Sequence, residues 1–312
     1  MENLGGIFNP SSPEMEAMAG LTYYIIGISV VILGIIVVAV TYIIIRYRKQ
    51  HGDNSEPFQN FGDLRLEIVW TLIPIAIVAV LFQLTCSTMR AVDPPIGDHE
   101  PDIVVTGHQW WWEIYYPKSG VITANEVHVP VGKNLLLRIE SIDVIHDFWV
   151  PELARKIDAI PGHPNHIWLS ASEAGVYLGA CAEFCGTQHA NMRIRLIAQT
   201  EEEFNEWQKQ ELVIPQTPRA GLTGKGAQLF QTKACMNCHT ILGTPAAARI
   251  GPNLTHLNKR QTIGAGVLTN SPENLAKWLA DPQKYKQGSL MPNMKLTESE
   301  VKAIVAYLEA LK

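Results

Sequence analysis

The 312 residues of this chain are enough for two or three domains of ordinary size. Hydrophobic residues make up 47% of the chain, and 25 lysines and arginines against 30 aspartates and glutamates leave a formal net charge of −5. This negative balance argues against a nucleic-acid partner, which would be met by a basic surface.

Two long hydrophobic segments near the N-terminus predict membrane-spanning helices. Residues 21–45 and 68–89 contain no charged residue. At about 1.5 Å rise per residue, each segment can cross roughly 30 Å of hydrocarbon. We therefore predict spans at about residues 21–46 and 67–90, within an N-terminal part that covers residues 1–98. A pair of buried core helices is the alternative, but uncharged segments of this length are rare in soluble domains.

Basic residues predict the orientation of the two spans. The loop between them carries Arg46, Arg48, Lys49 and Arg65, whereas the first twenty residues contain neither lysine nor arginine. Because positively charged loops stay in the cytoplasm, we expect a cytoplasmic loop. Both ends of the pair, and everything after it, are then expected on the outer, periplasmic face of a bacterial inner membrane.

Short strand-like segments follow the second span. The segments with alternating or wholly apolar character are residues 103–106, 126–129, 135–139 and 192–198. Glycines and prolines separate them, which is typical of a β-sandwich or barrel. We predict an all-β domain over residues 99–212, closed by a short helix at residues 201–210.

The segment Cys181-Ala-Glu-Phe-Cys185-Gly-Thr-Gln-His189-Ala-Asn-Met192 carries the strongest functional signal of this domain. Thiolate, imidazole and thioether ligands together select copper over cations that prefer oxygen. A mononuclear blue-copper site needs a single cysteine, so the second cysteine favours a binuclear centre. His146, at the end of an apolar strand-like segment, is the best candidate for a second histidine ligand.

Two other interpretations of the paired cysteines remain open at this stage. A disulfide would persist outside the cytoplasm, and zinc also accepts cysteine and histidine. Neither interpretation explains Met192, because methionine is a poor zinc ligand and has no part in a disulfide. Cys86, inside the second predicted span, receives no function.

A second site is predicted near the C-terminus. Residues 213–222 contain prolines and indicate a linker, and helical spacing dominates residues 223–312. Within that region Cys235-Met-Asn-Cys238-His239 is the attachment signature of a c-type haem. Methionine is the usual iron ligand opposite histidine, and the candidates are Met291 and Met294.

The remaining polar side chains have weaker signals. His108, His128, His163, His166 and His256 are expected to be surface or hydrogen-bonded histidines, because ligand-type neighbours at useful spacing are missing from the sequence around them. Three consecutive tryptophans, at positions 110–112, are most simply explained as core or interface residues.

Taken together, these motifs resemble subunit II of the haem–copper cytochrome c oxidases. The resemblance rests on Gln109-Trp-Trp-Trp112, Asp158-Ala-Ile-Pro-Gly162 and the 181–192 loop, followed by a region similar to class I cytochromes c. It implies a multi-domain chain of the caa3 type. Its parts would be a two-helix transmembrane hairpin, an all-β cupredoxin-like domain and an all-α class I cytochrome c domain.

The resemblance also implies a binuclear copper centre, called Cu-A, in the β domain. By position its ligands are His146, Cys181, Cys185, His189, Met192 and the backbone carbonyl of Glu183. The cysteines would bridge the two coppers, each histidine would bind one, and the methionine and the carbonyl would be axial. The Glu183 carboxylate would reach a magnesium ion at the interface with subunit I, and Asp143 and Asp158 would lie near that region.

In the C-terminal domain the resemblance implies covalent haem c on Cys235 and Cys238, with His239 as an iron ligand. A Met-Pro pair is the commoner axial arrangement in that family, so Met291 is preferred to Met294. In subunit II the first tryptophan of the aromatic motif is where electrons reach Cu-A, and here that residue is Trp110.

The implied function is that of subunit II of a respiratory cytochrome c oxidase, an oxidoreductase and translocase. Electrons would pass from haem c to Cu-A and on to the haem of subunit I, where oxygen is reduced to water and protons are pumped. The expected partners are subunit I, other oxidase subunits, membrane lipid, and a soluble cytochrome c or a neighbouring respiratory complex as donor. The Cu-A subunit of a nitric oxide reductase is the alternative.

Overall fold

The computed structural model describes residues 6–48, 56, 59, 61–94, 100–216 and 220–311. Some predictions concern residues outside this set. They are the lack of basic residues at positions 1–5, the positive charge of Lys49 in the loop, the domain boundary between residues 98 and 99, and positions 217–219 of the linker.

The N-terminal part of the described chain contains two long helices, α1 (Pro13–Arg46) and α2 (Leu64–Val92). Each is long and apolar enough to cross a membrane, and the residues of its most apolar stretch are not buried in the protein. Both helices extend past the predicted spans. Helix α2 begins at an N-cap, where the Asp63 carboxylate accepts a hydrogen bond from the Arg65 amide at 2.9 Å.

Ten strands follow within the described residues, and they form two five-stranded sheets. They are β1 (Ile103–His108), β2 (Trp111–Tyr116), β3 (Val121–Ala124), β4 (Glu126–Pro130), β5 (Leu135–Ser141), β6 (His146–Trp149), β7 (Ile157–Ala159), β8 (Asn165–Leu169), β9 (Gly175–Cys181) and β10 (Arg193–Gln199). One sheet has the order β3-β2-β1-β5-β8 and the other β4-β10-β9-β6-β7. The β1/β5 and β4/β10 pairs are parallel, and the other pairs are antiparallel. The cupredoxin-like prediction is confirmed.

Two details of this domain differ from the sequence interpretation. The aromatic run continues as a strand, β2, which was not among the predicted strand segments; its Trp112 is fully buried between the sheets, as expected of a core residue. His146 begins a strand and does not end one, because the apolar residues before it form bends with Ile142 and Ile145 exposed. Apolar character alone therefore misplaced the strand next to this histidine.

Helix α3 (Glu201–Glu211) closes the β domain at nearly the predicted residues. It begins with a capping box in which Thr200 and Glu203 each accept from the other's backbone amide. Its Trp207 ring stacks on His128, with centroids 4.0 Å apart. This stacking fixes the helix against β4.

The C-terminal domain is mainly helical, as predicted. Its elements are α4 (Gly221–Thr232), β11 (Thr262–Ile263), β12 (Leu268–Thr269), α5 (Pro272–Ala280), α6 (Pro282–Tyr285) and α7 (Glu298–Glu309). Helices α4 and α7 pack together through Phe230 and Tyr307, whose rings meet edge to face at 5.9 Å. Gly226 lies at the point where the two helices are closest.

Replacement of Gly226 by alanine should destabilise this domain. The new methyl group would overlap the Ala303 carbonyl oxygen and lie 2.6 Å from the Tyr307 Cβ atom. Overpacking of this kind costs about 1–3 kcal/mol. Scanning calorimetry of the full-length chain should show a lower transition temperature for this domain. The exposed neighbour Lys225, changed to alanine, is the control, and equal stabilities of the two variants would contradict the packing argument.

Candidate functional site

The predicted copper-ligand residues come together at one end of the second sheet. Cys181 ends β9 and Met192 directly precedes β10, and these strands pair in antiparallel fashion. The intervening loop must therefore return on itself, which places Cys185 beside Cys181. His146 joins them because β6 pairs with β9, with Phe148 opposite Cys181.

The distances between donor atoms are those of a compact, soft-ligand cluster. The Sγ atoms of Cys181 and Cys185 lie 3.7 Å apart, and the His146 Nδ1 atom lies 3.9 Å from the first sulfur. From the Cys185 sulfur, the His189 Nδ1 atom lies at 3.7 Å and the Met192 Sδ atom at 3.9 Å. A disulfide requires an S–S distance of about 2.05 Å, so these cysteines are free thiols, which fits metal ligation.

Electrostatics in the cluster favour the ligand forms of its side chains. The hydrogen bond between the two sulfurs lowers the pKa of the Cys181 thiol although burial opposes this, and the same bond raises the pKa of Cys185. One sulfur thus ionises readily, and a bound cation would help to remove the second proton. Burial of the sulfurs and of Met192 and His146 keeps water from the donors.

Asp143 orients the histidine from outside the cluster. Its carboxylate lies 2.8 Å from the His146 Nε2 atom, which leaves Nδ1 to face the sulfurs. It also accepts a hydrogen bond of 2.6 Å from the Gln109 amide. Burial opposes ionisation of Asp143, but these hydrogen bonds and that of the Val144 amide lower its pKa. A carboxylate behind a ligating imidazole is a common arrangement in metal sites.

Glu183 contributes its backbone to the cluster. Its carbonyl oxygen lies 3.2 Å from the Cys181 sulfur, while the residue as a whole is exposed. The carboxylate accepts a hydrogen bond from the Phe184 amide at 3.1 Å. Asp158, the other acidic residue of interest, lies opposite Asp147 in the β6/β7 pair.

Trp110 lies against the cysteine loop. Its indole N–H donates to the Cys185 carbonyl oxygen at 2.8 Å, and the Gln109 side chain donates to the same oxygen at 2.7 Å. Gly186, with φ of +115°, lets the indole approach, because a side chain there would meet the ring at 3.0 Å.

A cavity of about 370 Å³ in the C-terminal domain collects the predicted haem residues. Cys235, Cys238, His239, Met291 and Met294 all line it. Leucines and Trp278 supply an apolar wall, as expected of a pocket for a flat, hydrophobic prosthetic group.

The histidine in this cavity is held as an iron ligand would be. The His239 Nδ1–H group donates a hydrogen bond to the Pro252 carbonyl oxygen at 2.8 Å. The Nε2 atom is then the nitrogen with a lone pair for a metal ion. Burial lowers the pKa of His239, which keeps the imidazole neutral. A Cβ atom on Gly251 would lie 2.6 Å from the ring, so glycine is needed at this position. The residues therefore fit a covalently attached haem.

The β domain forms part of the cavity wall, through Gln109, Trp110, Trp111 and Asn125. Trp110 thus lines the cavity while its side chain bonds the cysteine loop. The two domains are also joined by an ion pair between Arg249 and Glu113, and by the buried Glu126, which accepts from the Gln261 and Thr262 amides at 2.8 and 3.0 Å.

Some functional residues were missed or misjudged from sequence. His108 was expected to be a surface or hydrogen-bonded residue. It is instead buried and stacked on Trp111 at 4.0 Å, and its Nε2 atom has no hydrogen-bond partner among the described residues. Burial lowers its pKa. The interdomain roles of Gln109 and Glu126 have no sequence signal, because they depend on how two domains meet.

Comparisons with known proteins match three parts of the chain. The model for the cytochrome c oxidase subunit II transmembrane domain covers residues 3–85, that for its periplasmic domain residues 119–199, and that for cytochrome c residues 224–312.

Three relatives match over most of their length. Cytochrome c oxidase subunit 2 of Alkalihalophilus pseudofirmus is 40% identical, with 100% of this chain and 92% of the relative covered. The subunit 2 of Bacillus subtilis is 34% identical, with 97% and 90% covered. That of Bacillus sp. strain PS3 is 33% identical, with 85% and 80% covered.

Proposed function

This chain belongs to the cytochrome c oxidase subunit 2 family, and we propose that it passes electrons from a covalently bound haem c to a binuclear Cu-A centre. From there they go to the haem of subunit I, where oxygen is reduced to water and protons are pumped. The chain is a membrane protein and part of an oxidoreductase complex. The observation that carries the proposed route is the double contact of Trp110, with the haem cavity and with the Cys185 carbonyl.

For the copper centre, we propose that the Cys181 and Cys185 thiolates would hold the ions, each sulfur being close to one histidine nitrogen. His146, His189, Met192 and the Glu183 carbonyl would complete the donor set. The centre, when bound, would supply one-electron transfer. A magnesium ion at the exposed Glu183 carboxylate, shared with subunit I, is part of the same proposal.

For the haem, we propose thioether bonds to Cys235 and Cys238 and axial ligation by His239 and Met291. Support comes from the Pro252 hydrogen bond, which orients the imidazole. Gln283 favours Met291, because its side chain donates to the Met291 carbonyl at 2.7 Å and so holds that segment of the cavity wall in place.

The proposed topology follows from the charged residues. Arg46 and Arg65 flank the loop between the helices, so that loop would be cytoplasmic and both metal domains periplasmic.

The domain limits we propose are residues 1–98, 99–212, 213–222 and 223–312. Subunit I, other oxidase subunits, lipid, and an electron donor such as a soluble cytochrome c or a neighbouring complex are the proposed partners. The nitric oxide reductase alternative is not favoured, because the relatives compared above are oxidase subunits.

Copper binding provides the first test of this function. The full-length chain loaded with copper should show an electron paramagnetic resonance spectrum in which one unpaired electron couples to both copper nuclei. Cys185→Ser should abolish that coupling, because a hydroxyl cannot bridge the two ions as a thiolate does. Cys86→Ser, in α2, is the control. A mononuclear spectrum from the unaltered chain, or zinc in metal analysis, would falsify the binuclear assignment.

The haem assignment has its own test. Haem should stay on the denatured chain through acid–acetone extraction, since thioether bonds are covalent. Met291→Ala should abolish the weak near-infrared band that arises from sulfur–iron charge transfer, whereas Met294→Ala should retain it. The opposite result would transfer the ligand role to Met294.

The route through Trp110 can be tested by kinetics. Trp110→Phe removes the hydrogen bond to Cys185 and part of the ring, so the haem-to-copper step should be slower while the copper spectrum stays the same. Flash photolysis of the assembled oxidase measures this step, and Trp168→Phe in β8 serves as the matched control. An unchanged rate in the Trp110 variant would mean that electrons bypass this side chain.

A further inference from the structure

Lys286 connects the two candidate sites through its side chain. It follows α6 on the segment that leads to Met291, and only 3% of its surface is exposed. Its ammonium group donates to three carbonyl oxygens, those of Trp110 at 2.6 Å, Asn191 at 2.7 Å and Gly264 at 3.0 Å. An ammonium group has three donors, and all three are used here.

Each of the three carbonyls belongs to a functional segment. Trp110 contacts the Cys185 carbonyl and the haem cavity. Asn191 directly precedes Met192 at the end of the cysteine loop. Gly264 also lines the haem cavity. A single cation therefore joins the copper loop, the tryptophan and the haem pocket.

The residues after Lys286 extend the same contact. The Gln188 side chain donates to the Gln287 carbonyl oxygen at 2.8 Å. A Cβ atom on Gly288 would lie 3.3 Å from the Thr187 hydroxyl and 3.8 Å from the Trp110 ring. Segment 286–288 thus covers both the loop and the tryptophan, whereas the Arg249–Glu113 ion pair holds a different part of the domain contact.

The energetics identify Lys286 as the central residue of this contact. A buried ammonium is unfavourable unless its donors are satisfied, and burial lowers the pKa of Lys286 to about 7. The carbonyl oxygens offset this only in the docked arrangement, because two of them come from the copper domain. In this buried position the ammonium group therefore has all its hydrogen-bond partners only when Trp110 and the copper loop are in place.

We propose that Lys286 is a positioning residue for electron transfer between the two sites. It holds the Trp110 backbone and the end of the copper loop at fixed positions relative to the haem cavity. This inference rests on the proposed function, in which electrons travel from haem c to Cu-A. The three hydrogen-bond partners of Lys286 are backbone carbonyls outside the proposed ligand sets, and the side chain carries no electron.

The test is the rate of haem-to-copper transfer in the assembled oxidase carrying Lys286→Met. Methionine keeps most of the apolar volume but removes the donor to the three carbonyls. The docked population, and with it the transfer rate, should fall roughly tenfold or more, because losing a hydrogen bond to a charged group weakens an equilibrium by about that factor. The copper spectrum, the sulfur–iron band and the reduction of haem by a small reductant should all be unchanged.

Three further variants sharpen the measurement. Lys284→Met removes an exposed lysine from the same segment and should leave the rate as it is. Lys286→Gln, whose amide can still donate, should give an intermediate rate, and it replaces the methionine variant if that variant does not fold. Arg249→Gln breaks the distant ion pair and should slow transfer less than Lys286→Met.

The outcomes separate this inference from the proposed function. If the unaltered oxidase shows no transfer from haem to copper, the proposed function fails. If the unaltered oxidase transfers electrons and Lys286→Met does so equally fast, only the positioning role is wrong. Loss of the copper or haem spectrum in both Lys286 variants, or an equal effect of Arg249→Gln, would also overturn the positioning role.

Discussion

The antiparallel pairing of β9 with β10 is the constraint on which the rest of the site depends. It forces residues 182–192 to turn back, and this turn brings together the two cysteine thiols, the His189 imidazole and the Met192 thioether. The Cys185 sulfur lies 3.7 Å from the Cys181 sulfur, 3.7 Å from the His189 Nδ1 atom and 3.9 Å from the Met192 sulfur. The pairing of β6 with β9 then adds His146 from another part of the chain. Because these strands belong to the sandwich, the positions of the donor atoms are set by the scaffold.

The contact between the β domain and the C-terminal domain contains a cluster of buried charged side chains. Arg260 of the C-terminal domain is buried near Glu126 and Glu211 of the β domain, and burial lowers the pKa of the arginine while it raises those of both carboxyl groups. Removing such charges from water is costly unless they pair well. Proteins that meet and separate usually rely on exposed charges for encounter. A buried cluster of this kind suits two domains that remain together, which is what a shared chain permits.

Local motifs were predictable from sequence, and contacts between distant segments were not. The cysteine loop and the Cys235–His239 signature lie in contiguous stretches, so ligand type and spacing alone indicate their chemistry. His146 could be chosen as a ligand, but the strand next to it was misplaced, because Ile142 and Ile145 are apolar and yet exposed. Lys286 could not be found at all. Its partners are backbone carbonyls, which every residue has, so its burial leaves no pattern in the sequence.

The position of Trp110 has a consequence for recognition by other proteins. Its ring lies between the cysteine loop on one side and Gly288 of the C-terminal domain on the other. The C-terminal domain thus covers part of a tryptophan that is half-buried, so a separate protein meets less of this ring than the β domain alone would offer. Part of a surface that the β domain would otherwise offer to other proteins is thus used within the chain. Substitutions on this part of the β domain are then constrained by the C-terminal domain of the same molecule and not by a separate partner.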